Sequence, residues 1–236
     1  MNKALSTIRT QALDFWMART AVVAIVVLQL LLINRVTIGP WWLAPGIELA
    51  LLVPLSIATA WAQDEVVRAT HEQHWHMIAN RRRLIRLLAV VLTALITVLN
   101  LGSLIMVVSA LLNGHAANNG RTLLFDAITI WAINIIAFAL WYWDIDRGGP
   151  AQRGIARQCV FDFLFPQMMM EGRDGTGEWS PGFVDYLYVA FTNATAFSPT
   201  DTMPLTRRAK TLMMIQSGIS LMTIALVAAR AVNILS

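Results

Sequence analysis

From residue 87 to residue 112 the chain carries no charged side chain, and further apolar runs cover roughly residues 15–33, 41–62, 122–143 and 211–235. Each is close to the ~20 residues that carry a helix across ~30 Å of hydrocarbon. In lipid a backbone must satisfy its own hydrogen bonds, so an open sheet is excluded and a helix is the expected form of every run. The whole chain is 57% hydrophobic and 14% charged, with a mean hydropathy of +0.58, which leaves no soluble domain of ordinary composition. The expectation is an all-α integral membrane protein. The run at 15–33 follows Lys3 and Arg9 but has no small-residue cleavage site after it, and is expected to stay as a first helix.

Basic residues set the expected orientation. Lys3, Arg9 and Arg19 lie at or before the first run, Arg68, Arg81, Arg82, Arg83 and Arg86 lie between the second and third, and Arg147, Arg153, Arg157 and Arg173 follow the fourth, whereas the alternate loops hold Arg35 and Arg121. The positive-inside rule then puts the N-terminus and the loops after the second and fourth helices in the cytoplasm. Residues 183–197 must leave from that same side. A crossing by so short a run would strand Arg207, Arg208 and Lys210 outside, whereas entry and return keeps them inside. About five membrane-spanning helices plus a re-entrant hairpin are therefore expected, with six full crossings as the alternative. By segment, residues 1–145 read as a four-helix bundle, 146–182 as a cytoplasmic or interfacial connector with an amphipathic patch "CVFDFLFPQMMM", and 183–236 as the hairpin and last helix. Pro54 should kink the second helix, and polar residues 63–86 should form a helical extension outside the bilayer.

Residues 192–210, "TNATAFSPTDTMPLTRRAK", resemble the pore helix, filter and following turn of tetrameric potassium-type channels. Asp201, Pro204 and Thr206 fall on the acidic residue, proline and threonine of that pattern, and Thr195 on a filter threonine. Ser198 and Thr200 stand at the two filter glycines and Pro199 at the aromatic position. The resemblance thus implies a pore-loop hairpin more than potassium selectivity. A second resemblance is to an uncharacterised family of bacterial multi-pass inner-membrane proteins, through Phe165-Pro166, "DYLYVAFT" (185–192), "SPTD" (198–201) and "TRRAK" (206–210). It implies a bacterial inner-membrane location and no activity.

These features single out Thr195, Ser198, Pro199, Thr200 and Asp201 as pore or filter candidates. Asp201 and Asp185 have a structural reading as caps of neighbouring helices and a functional one as carboxylates that concentrate cations. Glu48, Asn100, Asp126, Asn134 and Gln216 lie within apolar runs and should face the bundle interior or water. Glu48 and Asp126, near the outer ends of their helices, either snorkel to water, the preferred reading, or share a pocket with each other or with Arg121 as a relay. "HEQHWH" (71–76) reads as a solvated helix rather than a metal site, because His71 and His74 share a face and His76 does not. The single Cys159 forms no thiolate cluster. No catalytic pairing or phosphate loop occurs, so no enzyme activity, cofactor, metal or nucleic-acid partner is expected. The functional expectation is a channel-like or transport protein, with the lipid bilayer and monovalent cations as partners and a homo-oligomer if it conducts. The alternative is a non-catalytic assembly or envelope-maintenance protein.

Overall fold

Hydroxyls at positions 93, 97, 103, 129 and 223 each donate to a carbonyl one turn back, at Ala89, Thr93, Leu99, Phe125 and Ile219. That is how a helix keeps small polar side chains satisfied in apolar surroundings. The computed structural model describes residues 2–32, 40, 42–53, 56, 74–112, 120–149, 161–169, 179–195 and 201–235, with backbone alone for 2–15, 74–83, 112, 120–121 and 230–235. These residues are mostly helical: α1 (Asn2–Leu30), α2 (Leu43–Val53), α3 (His74–Leu112), α4 (Gly120–Ile145), α5 (Pro166–Met169), α6 (Phe183–Thr195) and α7 (Arg207–Leu235). A one-turn 3₁₀ segment, Asp146–Gly148, closes α4. Two short strands, β1 (Phe163–Leu164) and β2 (Met203–Pro204), pair antiparallel with Phe163 opposite Pro204.

Among the described residues three stretches are long and apolar enough to cross a membrane: Leu84–Leu111, Thr122–Gly148 and Arg207–Ala229. This differs from the expected five. The described apolar parts of the first two helices are Trp16–Leu30 and Leu43–Val53. The expected kink at Pro54 lies outside the described residues, as do His71, Glu72 and the rest of 57–73. From His74 on, the polar extension and the third apolar run form one continuous helix.

α4 is the central element. α1, α3, α6 and α7 all pack on it, and Ile130, Ile133, Ala137, Phe138, Ala139 and Tyr142 are almost wholly buried. A helix that is apolar round most of its circumference is what such a position requires. Side-chain bonds set its neighbours in register. Asn100 of α3 donates to the Ile130 carbonyl at 3.1 Å, and Trp141 donates to Thr97 at 2.9 Å. Asn134 donates to Ser220 of α7 at 2.9 Å. α3 and α7 therefore both run antiparallel to α4. α1 and α2 form a further antiparallel pair, with Gln29 bonded to Glu48 and Arg19 to the Ser56 carbonyl.

One side of the amphipathic patch packs inward, while Phe161 and Met169 stay exposed. Asp162, Phe163 and Phe165 are buried at the end of α4, where the Phe163 ring lies 5.1 Å from Tyr142 and 6.2 Å from Tyr186, and the Phe165 ring lies 5.4 Å from Tyr186. The aromatic rings remove more apolar surface by filling the end of the bundle than they would on its edge.

Candidate functional site: the α6 hairpin and its anchor

α4 ends in three successive residues with positive φ: Arg147 (53°), Gly148 (79°) and Gly149 (87°). Gly149 lies at ψ 173°, a region open in practice to glycine alone. A β-carbon there would sit 2.8 Å from the Asp144 carbonyl oxygen, which is backbone and has little room to yield. Gly149→Ala is therefore expected to cost about 1–3 kcal/mol. It should appear as a lower midpoint of thermal unfolding in detergent, and an unchanged midpoint would mean that the turn is not needed in this form.

That turn brings the wholly buried Asp146 carboxylate back across the end of the bundle. One oxygen accepts the Asp162 and Phe163 N–H groups at 2.8 and 3.3 Å, and the other accepts the Tyr186 hydroxyl. The Arg147 Nε lies 3.6 Å from the same carboxylate, and its guanidinium covers the Phe161 ring at 4.7 Å. Asp162, also wholly buried, takes Arg208 in a two-pronged contact, Nε and Nη2 each at 2.6 Å, together with the Thr206 hydroxyl. Two-pronged charge-assisted pairs combine strength with fixed geometry. The Leu205 N–H completes the link by donating to the Asp162 carbonyl at 2.8 Å.

α6 starts beside this anchor. Gly182 N–H donates to the Asp185 side chain at 2.7 Å, the backward half of a capping box. Asp185 is thus a cap, as its structural reading holds, and burial pushes its carboxyl above the ordinary range against the lowering effect of the Gly182 bond. Phe183, Tyr186, Val189, Ala190 and Ala194 form the buried face. At the far end, Asn193 donates to the Met213 carbonyl at 3.0 Å and to Gln216 Oε1 at 2.7 Å, and accepts the Ser217 hydroxyl at 3.1 Å. Gln216 donates to the Ala190 carbonyl at 2.8 Å and also accepts from the Tyr142 hydroxyl. α6 is therefore held at its start by the end of α4 and at its finish by the interior of α7. By Met203 the chain is back beside β1.

Of the filter candidates, Thr195 is the last residue of α6, and its hydroxyl donates back to Phe191 and Thr192. Ser198, Pro199 and Thr200 lie outside the described residues. Asp201 is exposed and is not the cap of α7. Thr206 fills that role, its Oγ1 accepting the Ala209 N–H at 3.3 Å, because it immediately precedes the helix whereas Asp201 is separated from it by β2. The five polar candidates within the apolar runs, Glu48, Asn100, Asp126, Asn134 and Gln216, are all buried. The preferred expectation that Glu48 and Asp126 snorkel to water is overturned, since both are 0% exposed. Glu48 takes Gln29 as its partner at 2.7 Å, because the pairing of α1 with α2 brings an amide within reach. Asp126 is itself partnered.

Sequence reasoning missed Gln29, Asp146, Asp162, Tyr186, Asn193 and Arg208. A glutamine inside the first apolar run carried the same signal as Gln216. Nothing local marks Asp162 and Arg208, which are 46 residues apart. Comparison with protein families, curated proteins and solved structures returned no match to this chain.

Proposed function

We propose that this chain is a channel-like or transport protein of the bacterial inner membrane, in which α6 and the residues after it enter from the cytoplasmic side and return to it. One observation carries this reading: the first turns of α6 and α7 are both tied to the Asp146–Asp162 anchor at one end of the bundle. α6 has 13 residues, about 20 Å of helix against the ~30 Å of a hydrocarbon core. Such a helix goes part of the way in. The basic residues Arg147, Arg207, Arg208 and Lys210 then share one side, which supports a cytoplasmic end and a cytoplasmic N-terminus. α1, α2, α3, α4 and α7 supply the five crossings of this arrangement.

A helix that stops at that depth leaves the carbonyls of its last turn to protein or water, since lipid offers no donors. On one chain the outer face of α6 is open, with Val184 56%, Tyr188 58% and Phe191 48% exposed. Further copies around an axis beside α6 would cover this face and turn residues 192–201 toward a central path for monovalent cations. A second reading, a non-conducting assembly or envelope protein, is favoured by a different observation. Asn193, Gln216, Tyr142 and Ser217 are occupied with one another, so the end of α6 is bolted in place.

Native mass in detergent and cation flux into liposomes distinguish the two. The transport reading expects several copies per particle, and potassium, sodium or proton flux above that of empty vesicles. Flux should fall in Asp201→Asn, because an exposed carboxylate at a path mouth raises local cation concentration. A monomer without flux would leave the non-conducting reading in place.

A further inference from the structure

Away from the α6 hairpin, α1, α2 and α3 carry buried oxygens that have no hydrogen-bond partner among the described residues. Glu48 is 0% exposed, and one carboxylate oxygen accepts from Gln29 Nε2 at 2.7 Å. Its other oxygen, Oε2, has no hydrogen-bond partner among the described residues, and neither have Gln29 Oε1 and Asn100 Oδ1. Asn100 is itself only 5% exposed. Gln29, Asn100 and Ser103, with Leu32, Ala44, Leu99 and Ile133, line a cavity of about 10 Å³. That is room for a single water-sized particle.

All three orphaned atoms are acceptors, and the neighbouring donors are already engaged. The Gln29 amide nitrogen points to Glu48, and the Asn100 amide nitrogen donates to the Ile130 carbonyl at 3.1 Å, which turns each amide so that its oxygen remains open. The Ser103 hydroxyl, which also lines the cavity, donates to the Leu99 carbonyl at 3.1 Å and so has lone pairs rather than a proton to offer there. Buried acceptors without donors are costly, and a buried charge without a counter-charge more so. A proton on Glu48 would supply one donor, to one acceptor. A water molecule would supply two donors but leave the carboxylate charge uncompensated inside the bundle. A small monovalent metal ion meets every condition together, since it is bound by oxygen lone pairs, cancels one negative charge and fits a water-sized space. Divalent ions of this hard type draw on several carboxylates, and among the described residues no group of three His, Cys, Asp or Glu side chains is placed to hold a metal.

We propose that Gln29, Asn100 and Ser103 bind one dehydrated alkali-metal ion, with Glu48, bonded to Gln29, as its counter-charge, a site joining α1, α2 and α3 and separate from the hairpin. Because the ion bridges three helices, occupancy stabilises the fold by mass action.

The test uses the full chain in detergent at constant ionic strength, with choline chloride exchanged for sodium or potassium chloride, alongside direct binding of radioactive sodium. The midpoint of thermal unfolding is expected to rise with sodium or potassium and then saturate, with one ion bound per chain. Ser103→Ala should keep the fold and weaken binding, and Glu48→Gln should lower affinity by on the order of 100-fold, at the upper end of what supporting ligands contribute. The wild-type ion dependence stands as a test even where a variant does not fold. Identical midpoints in all three salts with no bound sodium would overturn the site. A midpoint that shifts with pH in choline but ignores sodium and potassium would overturn it too, by assigning Glu48 a proton instead.

Discussion

Replacing Arg208 with alanine is expected to be among the most damaging single changes in this protein, lowering stability by about 3 kcal/mol. The asymmetry of the pair sets the size. Arg208 is half exposed, at 51%, whereas Asp162 is 0% exposed, so removing the arginine leaves a carboxylate with no route to water. Losing the partner of a buried charge costs far more than the net worth of the intact pair. Asp162→Ala should be milder, because the arginine left behind can turn to solvent, and the double replacement should recover much of the loss seen in Arg208→Ala. Arg208→Lys is not conservative here, since an ammonium does not reproduce the two-pronged contact through Nε and Nη2. Thermal unfolding of the four variants in one detergent decides the matter. If Arg208→Ala melts with wild type, or if the double variant is worse than both single ones, the anchor does not hold the hairpin as described.

Gln216→Leu is the second large effect expected, about 2–3 kcal/mol. The substitution keeps approximate volume in a fully buried position and strips the partner from the Asn193 amide, the Tyr142 hydroxyl and the Ala190 carbonyl. A buried polar group left without a partner costs about 1–3 kcal/mol. Asn193 still reaches the Met213 carbonyl and Ser217, which keeps the total below the sum of three such losses. Ser220→Ala, which removes a single contact with Asn134, should be several times milder. Resistance to denaturing detergent measures the stability, and the labelling rate of Thr195→Cys reports whether the end of α6 has come loose. A Gln216→Leu protein as resistant as wild type, with Thr195→Cys labelled no faster, would mean that the network contributes packing alone.

What the sequence determined on its own is the part set by one-dimensional cost. Long apolar runs must become helices where the backbone has no solvent to bond, which is why residues 87–112, 122–143 and 211–235 fall within α3, α4 and α7. Polar groups inside such runs must turn inward, and Glu48, Asn100, Asp126, Asn134 and Gln216 all do. The tertiary structure alone decided which groups meet. Asp162 finds Arg208, and Asp146 finds Tyr186 across 40 residues, because β1 folds under α4 while α6 and α7 both begin there. Glu48 finds Gln29 rather than water through the pairing of α1 with α2. Thr206 rather than Asp201 caps α7 because β2 stands between Asp201 and the helix. Burial follows from the chemistry of a residue and its immediate neighbours in the chain, but partnership depends on the register between helices, and that register is set by the packing of the whole bundle.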